Sequence, residues 1–516
     1  MVDTTHLQRI LTTSLIAVGL VVTLGACGDD GNGNGTQDAG QDMGQDMGNG
    51  ATATVQIIHN SADPNASTVD VFADGDLLVD DLEFRTATGF VEVPAGDYSI
   101  AIAGPGAGSN ETLDDGEAID SWDVTLEADT AYTVVADGVV DPANFAQNPD
   151  NADIALDLKV ATGALETASN QGIALRVHHG ATDVGEAEIF EGNSDDAADS
   201  ISYGEFSPYL SYDNADVTRT FDIALESLPA SAEQHVQVSS STAPSGTAAT
   251  VLASGFADPA ANEDGEALDI IACPGQPAEG DRVECVPLPE AARAQIIHAA
   301  PGEAASEVGV CVGDQNLGTL SYKGAFPYLT LPSGAELGVS LVGSEQSDCA
   351  NPVLDTTVGP LEAEGTYAAV ASGTGDDLGI RAGQSIEYAS NGESVGITLF
   401  HGSPDAPNVD VLATDPESGN DIPLAQGVSF GSFALAGQNG EVDGTVNYTP
   451  LRLVDSESQD PIVGFDVSAL TNFSGTGVVA VARGFVEPPM SATDRDFGVT
   501  VFARTGNPTD LTTVDQ

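Results

Sequence analysis

One motif, written four times, constrains this chain more than anything else in it. A short apolar strand closes on a histidine, proline forces a turn, and a Val-x-Val strand follows. The clearest copy spans 395 to 415, Val-Gly-Ile-Thr-Leu-Phe-His-Gly-Ser-Pro-Asp-Ala-Pro-Asn-Val-Asp-Val-Leu-Ala-Thr-Asp. There Pro404 and Pro407, with fixed φ and no N–H, cannot continue a ladder between His401 and the strand of Val409 and Val411. The first copy places His59, Pro64, Val69, Asp70 and Val71 in the same roles, and the third runs from Gln295-Ile-Ile-His298 to Val308, Val310 and Cys311. A worn second copy keeps Leu175, Val177, His179, Asp183, Ile189 and Phe190. The histidines are spaced by 120 (179 − 59), 119 (298 − 179) and 103 (401 − 298) residues, which divides the chain into repeats at 51–165, 166–285, 286–388 and 389–516.

Within each repeat the strands are short and punctuated. An aromatic turn follows the Val-x-Val strand, at Leu82-Glu-Phe84, Ser202-Tyr203-Gly204, Ser321-Tyr322-Lys323 and Ser429-Phe430-Gly431. Period-two alternation comes next, as in Tyr98-Ser-Ile100-Ala-Ile102, and each repeat closes on a glycine: Gly138, Gly255, Gly373 and Gly484. Seven or eight such strands per repeat, without a long helical period, predict an all-β chain of four antiparallel β-sandwiches of immunoglobulin-like type. Tyr132 and Tyr367 stand where a tyrosine corner would return a phenol to the backbone; the second and fourth copies lack that residue.

Charge narrows the partners. The 516 residues carry 80 acidic and 13 basic side chains, a net −67, with Lys159 and Lys323 the only lysines. Such a surface repels phosphate, so nucleic acid is excluded as a partner, and so is adsorption to an anionic membrane. A 41% hydrophobic share with regular strand patterns is too high for a disordered acidic tail. The composition suits a folded, halophilic protein, because salt screens exposed charges beyond roughly 10 Å.

The first 27 residues are an address. Arg9 supplies a basic start, Leu15 to Val22 an apolar stretch too short to span a bilayer, and Leu24-Gly25-Ala26-Cys27 a small-residue cleavage site ending in cysteine. This resembles a bacterial lipoprotein signal peptide with its lipobox, which implies lipidation of Cys27 and a membrane anchor through that lipid. Gly28 stands where, by analogy with such lipoproteins, an Asp would retain the chain in the inner membrane. Its absence points to the outer membrane of a Gram-negative envelope. Residues 28–50 form a flexible Gly/Asp/Asn/Gln tether with an r.m.s. reach of about 27 Å. Export permits disulfides, and of the three pairings open to the remaining four cysteines we favour Cys273 with Cys285 and Cys311 with Cys349, each stabilising by about 3–4 kcal/mol.

The histidine-proline opening, the aromatic turn and the Val-Ala-x-Gly close resemble the bacterial family called domain of unknown function 4397. The first and fourth copies carry the motif most fully, with Asp63-Pro64 before Val69-Asp70-Val71 and Asp405-Ala406-Pro407 before Val409-Asp410-Val411. The resemblance implies tandem immunoglobulin-like domains on exported proteins, and no established activity.

Chemical motifs are sparse. His59, His179, His298 and His401 share one position, but the accompanying acid varies, Asp70 or Asp410 in two copies and Glu188 or Gly309 in the others. That is an uneven ligand set for a metal, so the rings are read as structural, bonding the backbone of their own turns. Asp74-Gly-Asp76, Asp195-Asp196 and Asp376-Asp377 allow weak calcium binding without forming a calcium loop; no cofactor is expected. Gly427-Val-Ser429-Phe-Gly431 matches a nucleophile elbow in letters only, since the strand-to-helix turn that elbow needs is not predicted there. The expectation is a non-catalytic, surface-exposed lipoprotein array serving adhesion, binding of an envelope protein or polysaccharide, or structural spacing. The alternative is an exported hydrolase or cation-binding sensor with its site in the loops of one repeat.

Overall fold

Each copy folds into two facing sheets built from the same strands in the same order. In the first module of the computed structural model, one sheet holds the His strand Thr52–His59 between Thr86–Thr88 and the closing strand Ala131–Asp137, with Asp157–Thr162 beyond and Val91–Pro94 beside the start of the His strand. The facing sheet runs Asp76–Glu83, Thr68–Ala73, Gly96–Ala103 and Ala118–Leu126. The structure describes residues 51–514 apart from 109–110, 195–196, 277–281, 303–305, 416–417, 438 and 490–494, and short 3-10 turns are the only helices among them. The signal peptide with Cys27, the tether and Asp195-Asp196 lie outside the described residues. None of the described helices is long and apolar enough to cross a membrane.

One pairing in each module departs from the antiparallel expectation. The His strand runs parallel to the closing strand, from Thr54 opposite Ala131 to His59 opposite Ala136 in the first module, and likewise in the other three. A parallel pair needs a long crossover between its strands, and here the whole facing sheet supplies it. The tyrosine corners are in place: the phenol oxygens of Tyr132 and Tyr367 accept the N–H of Glu127 at 2.8 Å and of Glu362 at 3.0 Å.

Period two sends Val55, Ile57 and His59 into the first sandwich and Gln56 and Ile58 out of it. In a free-standing module that outer side would be polar. Ile58 is nonetheless 0% exposed, because the outer face of this sheet lies against the corresponding face of the second module. Ile58, Ala87 and Val135 meet Leu252, Ile271 and the Cys273–Cys285 disulfide. The third and fourth modules repeat the arrangement, with Ile297, Ala368 and Val370 against Phe400, Val479, Val481 and Phe502. Sheets covered on both sides have strands that are apolar throughout, which is why the His strands read as near-continuous apolar runs.

The two seams are equivalent in detail. Gln56 Nε2 donates to Pro274 O at 2.9 Å across the first, and Gln295 Nε2 donates to Ala503 O at 2.7 Å across the second. The chain is therefore a two-module unit written twice. A rod of modules joined end to end does not describe it, because strands that are apolar on both faces must be covered on both faces. Both expected disulfides are formed, Cys273 with Cys285 and Cys311 with Cys349. The loop that the first one closes makes an exchange between modules, since its strand Arg282–Glu284 pairs not with its own module but with Thr86–Thr88 of the first.

Phe400 and Phe502 are the largest buried side chains in the second seam. We expect Phe400→Ala to lower the unfolding free energy of the third and fourth modules together by about 3–5 kcal/mol, whereas Val160→Ala, on the surface, should stay within about 0.5 kcal/mol. Chemical denaturation of the two variants checks both values.

Candidate functional site

The four histidines occupy one constructed corner. His59, His179 and His401 turn Nε2 onto the carbonyl of the following turn, at Ala66 O (2.6 Å), Gly185 O (2.6 Å) and Pro407 O (2.9 Å). A carbonyl only accepts, so Nε2 carries the proton and donates. The ring's edge meets the aromatic of the aromatic turn in every module, with centroids 6.2–6.3 Å apart for His59 and Phe84, His179 and Tyr203, His298 and Tyr322, and His401 and Phe430. The backbone closes the corner, because the residue after that aromatic donates its N–H to the histidine carbonyl, from Arg85, Gly204, Lys323 and Gly431. One histidine thus fixes three segments: its strand end, the proline turn and the aromatic turn.

Burial holds the rings of His59, His179 and His401 neutral. It lowers the pKa of His59 to about 4 and moves His179 and His401 in the same direction, with the carbonyl partners opposing the shift only in part.

The acids quoted with the motif are spent on backbone. Four residues beyond the histidine, Asp63, Asp183 and Asp405 accept N–H groups from the segment after the closing strand, at Val140, at Ala257 and Asp258, and at Val486 and Glu487. Asp70 accepts from Asp81, Gly106 and Ala107, and Asp410 from Gly427 and the Gln459 amide. The closing glycines Gly138, Gly255, Gly373 and Gly484 all have left-handed φ, and a Cβ on any of them would lie within 2.4 Å of a backbone oxygen. That explains the fixed residue of the Val-Ala-x-Gly signature.

The scarce cations gather at the seams. In the first pair, Lys159 of module one lies over the Tyr203 ring of module two, and in the second pair Arg381 of module three lies over Phe430 of module four. These positions are equivalent, and the glycine after each aromatic makes room: a Cβ at Gly204 would meet Lys159 at 2.9 Å, and one at Gly431 would meet Arg381 at 2.4 Å. Arg85 donates to Ser254 O and Ala267 O, Arg176 to Thr162 O and Gly163 O, and Arg282 to Asp80 O and Asp81 O, all between modules one and two. Lys323 reaches Asp510 at 2.8 Å, and Arg495 covers the Tyr322 ring, both between modules three and four. At the same seam Arg504 lies over Tyr388 and 3.5 Å from Glu387. Arg293 bridges Glu387 at 3.1 Å and Asp222 of the second module at 3.8 Å. A further polar contact is buried between modules one and two: His178 has Nδ1 on Glu205 O (3.1 Å) and Nε2 on Asp137 Oδ2 (2.9 Å).

Asp70, Asp80 and Asp81 bring carboxylate oxygens within 4.8 Å of one another, with the Arg282 guanidinium on the neighbouring carbonyls. The sequence did not single out Asp80 or Asp81. Asp74 and Asp76 flank a hairpin turn, Asp376 and Asp377 lie in the 3-10 turn Gly375–Asp377, and Glu188 pairs in its strand opposite Ala224. Ser429 follows the strand Asp421–Val428 and shares a hydrogen bond with Ser432 Oγ at 2.8 Å.

The family model "Domain of unknown function (DUF4397)" matches residues 53–157 and 292–412. These two stretches, 226 of the 516 residues, match the family and are consistent with a tandem-repeat DUF4397 protein. The matched stretches are the first module, and the third with the opening strands of the fourth, so DUF4397 covers less of the chain than the motifs suggest. The third copy fits the family over its whole length, while the fourth, fuller in its opening motif, is matched only as far as residue 412. No protein of curated function matches. Among solved structures, "The Bacillus anthracis TIE protein" is similar at 9% identity over 85% of this chain and 68% of that one, with a TM-score of 0.13, too low to carry an argument.

Two outcomes are expected at the corner. His401→Ala should destabilise the fourth module by about 1–3 kcal/mol, the range for leaving buried polar groups unpaired, with metal content unchanged by elemental analysis. His59 contributes a pH dependence of known sign. Its folded pKa near 4 lies below the unfolded value, so between pH 6.5 and 4 the unfolded chain binds the extra proton and stability falls as pH falls. Relative to a His59→Gln variant, the parent should lose about 3 kcal/mol across that window, read from denaturation curves at each pH.

Proposed function

We propose that this protein is a non-catalytic cell-envelope lipoprotein, anchored through Cys27, whose paired modules form a stiff acidic scaffold for an envelope protein or polysaccharide. The observation that carries this reading is the use of the recurrent side chains. The described hydrogen bonds of the recurrent histidines and motif aspartates run to backbone or to neighbouring scaffold residues. A catalytic centre would instead stand out as a polar cluster peculiar to one copy. The basic residues are drawn into the seams, which leaves an outer surface dominated by carboxylates and suited to a neutral or cationic partner rather than to nucleic acid.

Two measurements test this reading. Cys27→Ser should abolish palmitate labelling and move the protein from the outer-membrane fraction to a soluble or precursor form; equal labelling of mutant and parent would end the lipoprotein proposal. Thermal midpoints of the lipid-free chain should rise from low salt to molar sodium chloride, because a compact chain of charge −67 gains more from screening than an expanded one. A larger rise with millimolar calcium than with sodium at matched ionic strength would favour the cation-binding alternative. The partner is sought by pull-down with the lipid-free chain against envelope extracts and glycans.

A further inference from the structure

The first module has an open interior. Between its two sheets lies a cavity of about 260 Å³, whereas two cavities in the corresponding core of the fourth module measure about 30 Å³ each. Native cores are close-packed, and a void of this size with aliphatic walls stays dry and takes apolar guests.

The walls define the guest. They are made of Val, Ile, Leu and Ala side chains from eight strands, including Val55, Ile102, Val134 and Ala136. The two polar groups inside are already engaged: the Thr88 hydroxyl accepts the Ile57 N–H at 2.9 Å, and the Tyr98 phenol donates to Pro94 O at 2.7 Å. An apolar guest leaves both of these bonds intact. Leu78, Ile100, Val124 and Leu158 also line the cavity but are only half-buried, so the space reaches the surface. At that rim stand the exposed carboxylates of Asp74 and Asp76. They repel an anionic head group in a chain that is already strongly negative.

We infer that the first module binds a straight alkyl chain, on the order of ten carbons, with an uncharged or cationic head held at the Asp74–Asp76 rim. A fatty-acid carboxylate of equal length is rejected. The second, third and fourth modules are scaffold in this scheme, and the first is the receptor.

Trp122 reports on the site. It is the only tryptophan of the chain and lies against this core, on the strand that supplies Val124 and Leu126 to the walls. The experiment is a Trp122 fluorescence titration of the whole lipid-free chain with 1-decanol and, separately, with decanoate. The expected result is a saturable 1:1 change with decanol and an affinity at least tenfold weaker for decanoate. Ala136→Leu, which fills the cavity, should abolish the decanol response while the chain still melts cooperatively. The exposed double change Asp74→Asn with Asp76→Asn leaves the core untouched and should bring decanoate close to decanol. The inference is overturned if decanol gives no saturable change, if decanoate binds the parent as tightly as decanol, or if the double variant leaves the preference unchanged.

Discussion

Like-charge repulsion is the constraint on which the rest of this structure depends. Four modules that share 74 of the chain's 80 acidic and 12 of its 13 basic side chains can touch only where the contact excludes carboxylates or neutralises them. Both devices are used. The seams have apolar centres, formed by Ile58 against Leu252 and by Ile297 and Val370 against Phe400 and Val481. Around those centres, and at the contact of modules two and three in the case of Arg293, stand the cations. Among the twelve basic residues described, Arg85, Lys159, Arg176, Arg282, Arg293, Lys323, Arg381, Arg495 and Arg504 all touch a neighbouring module. A cation over an aromatic ring at an exposed rim contributes only about 0.5–1 kcal/mol, more where it is desolvated. The equivalent pairs Lys159 over Tyr203 and Arg381 over Phe430 therefore serve alignment as much as strength.

The histidine corner connects this seam to the interior of each module. Its strand presents alternate residues to two different cores, so the residue before each marker histidine, Ile58, His178, Ile297 or Phe400, belongs to the seam, while the histidine belongs to the corner. Fixing the strand end through Nε2 and the aromatic edge also fixes the register of the outward residues. The aromatic turn then has two partners, the histidine edge from its own module and, in modules two, three and four, a cation from the neighbour. Stability of the module and geometry of the pair thus rest on the same few residues.

Much of this was legible in the sequence, and the remainder was missed for physical reasons. The four copies, the all-β class, the tyrosine corners and both disulfides follow from local pattern and spacing. The pairing of modules does not, because a strand apolar on both faces reads the same whether its second cover comes from its own domain or another. Signals were nevertheless present. Copies one and three share Gln-Ile-Ile-His and the corner tyrosines, while copies two and four share the Gly-Phe close at Gly255-Phe256 and Gly484-Phe485 and the glycines Gly204 and Gly431. That alternation marks a unit of two modules. The apolar cavity of module one left no such mark, since its wall residues are ordinary core types whose failure to fill the space is visible only in three dimensions.

The central claim is that each seam makes two modules one thermodynamic unit, and the position of Trp122 allows a direct test. That residue reports only on the first module, while Leu252, 0% exposed, lies in the second and faces the seam. Leu252→Asp buries an unpaired charge there, a change on the order of 3–5 kcal/mol, so the thermal midpoint seen by Trp122 fluorescence should fall by roughly 10 °C. An unchanged Trp122 midpoint in a variant whose second module is destabilised would show that the modules fold independently and would contradict the account.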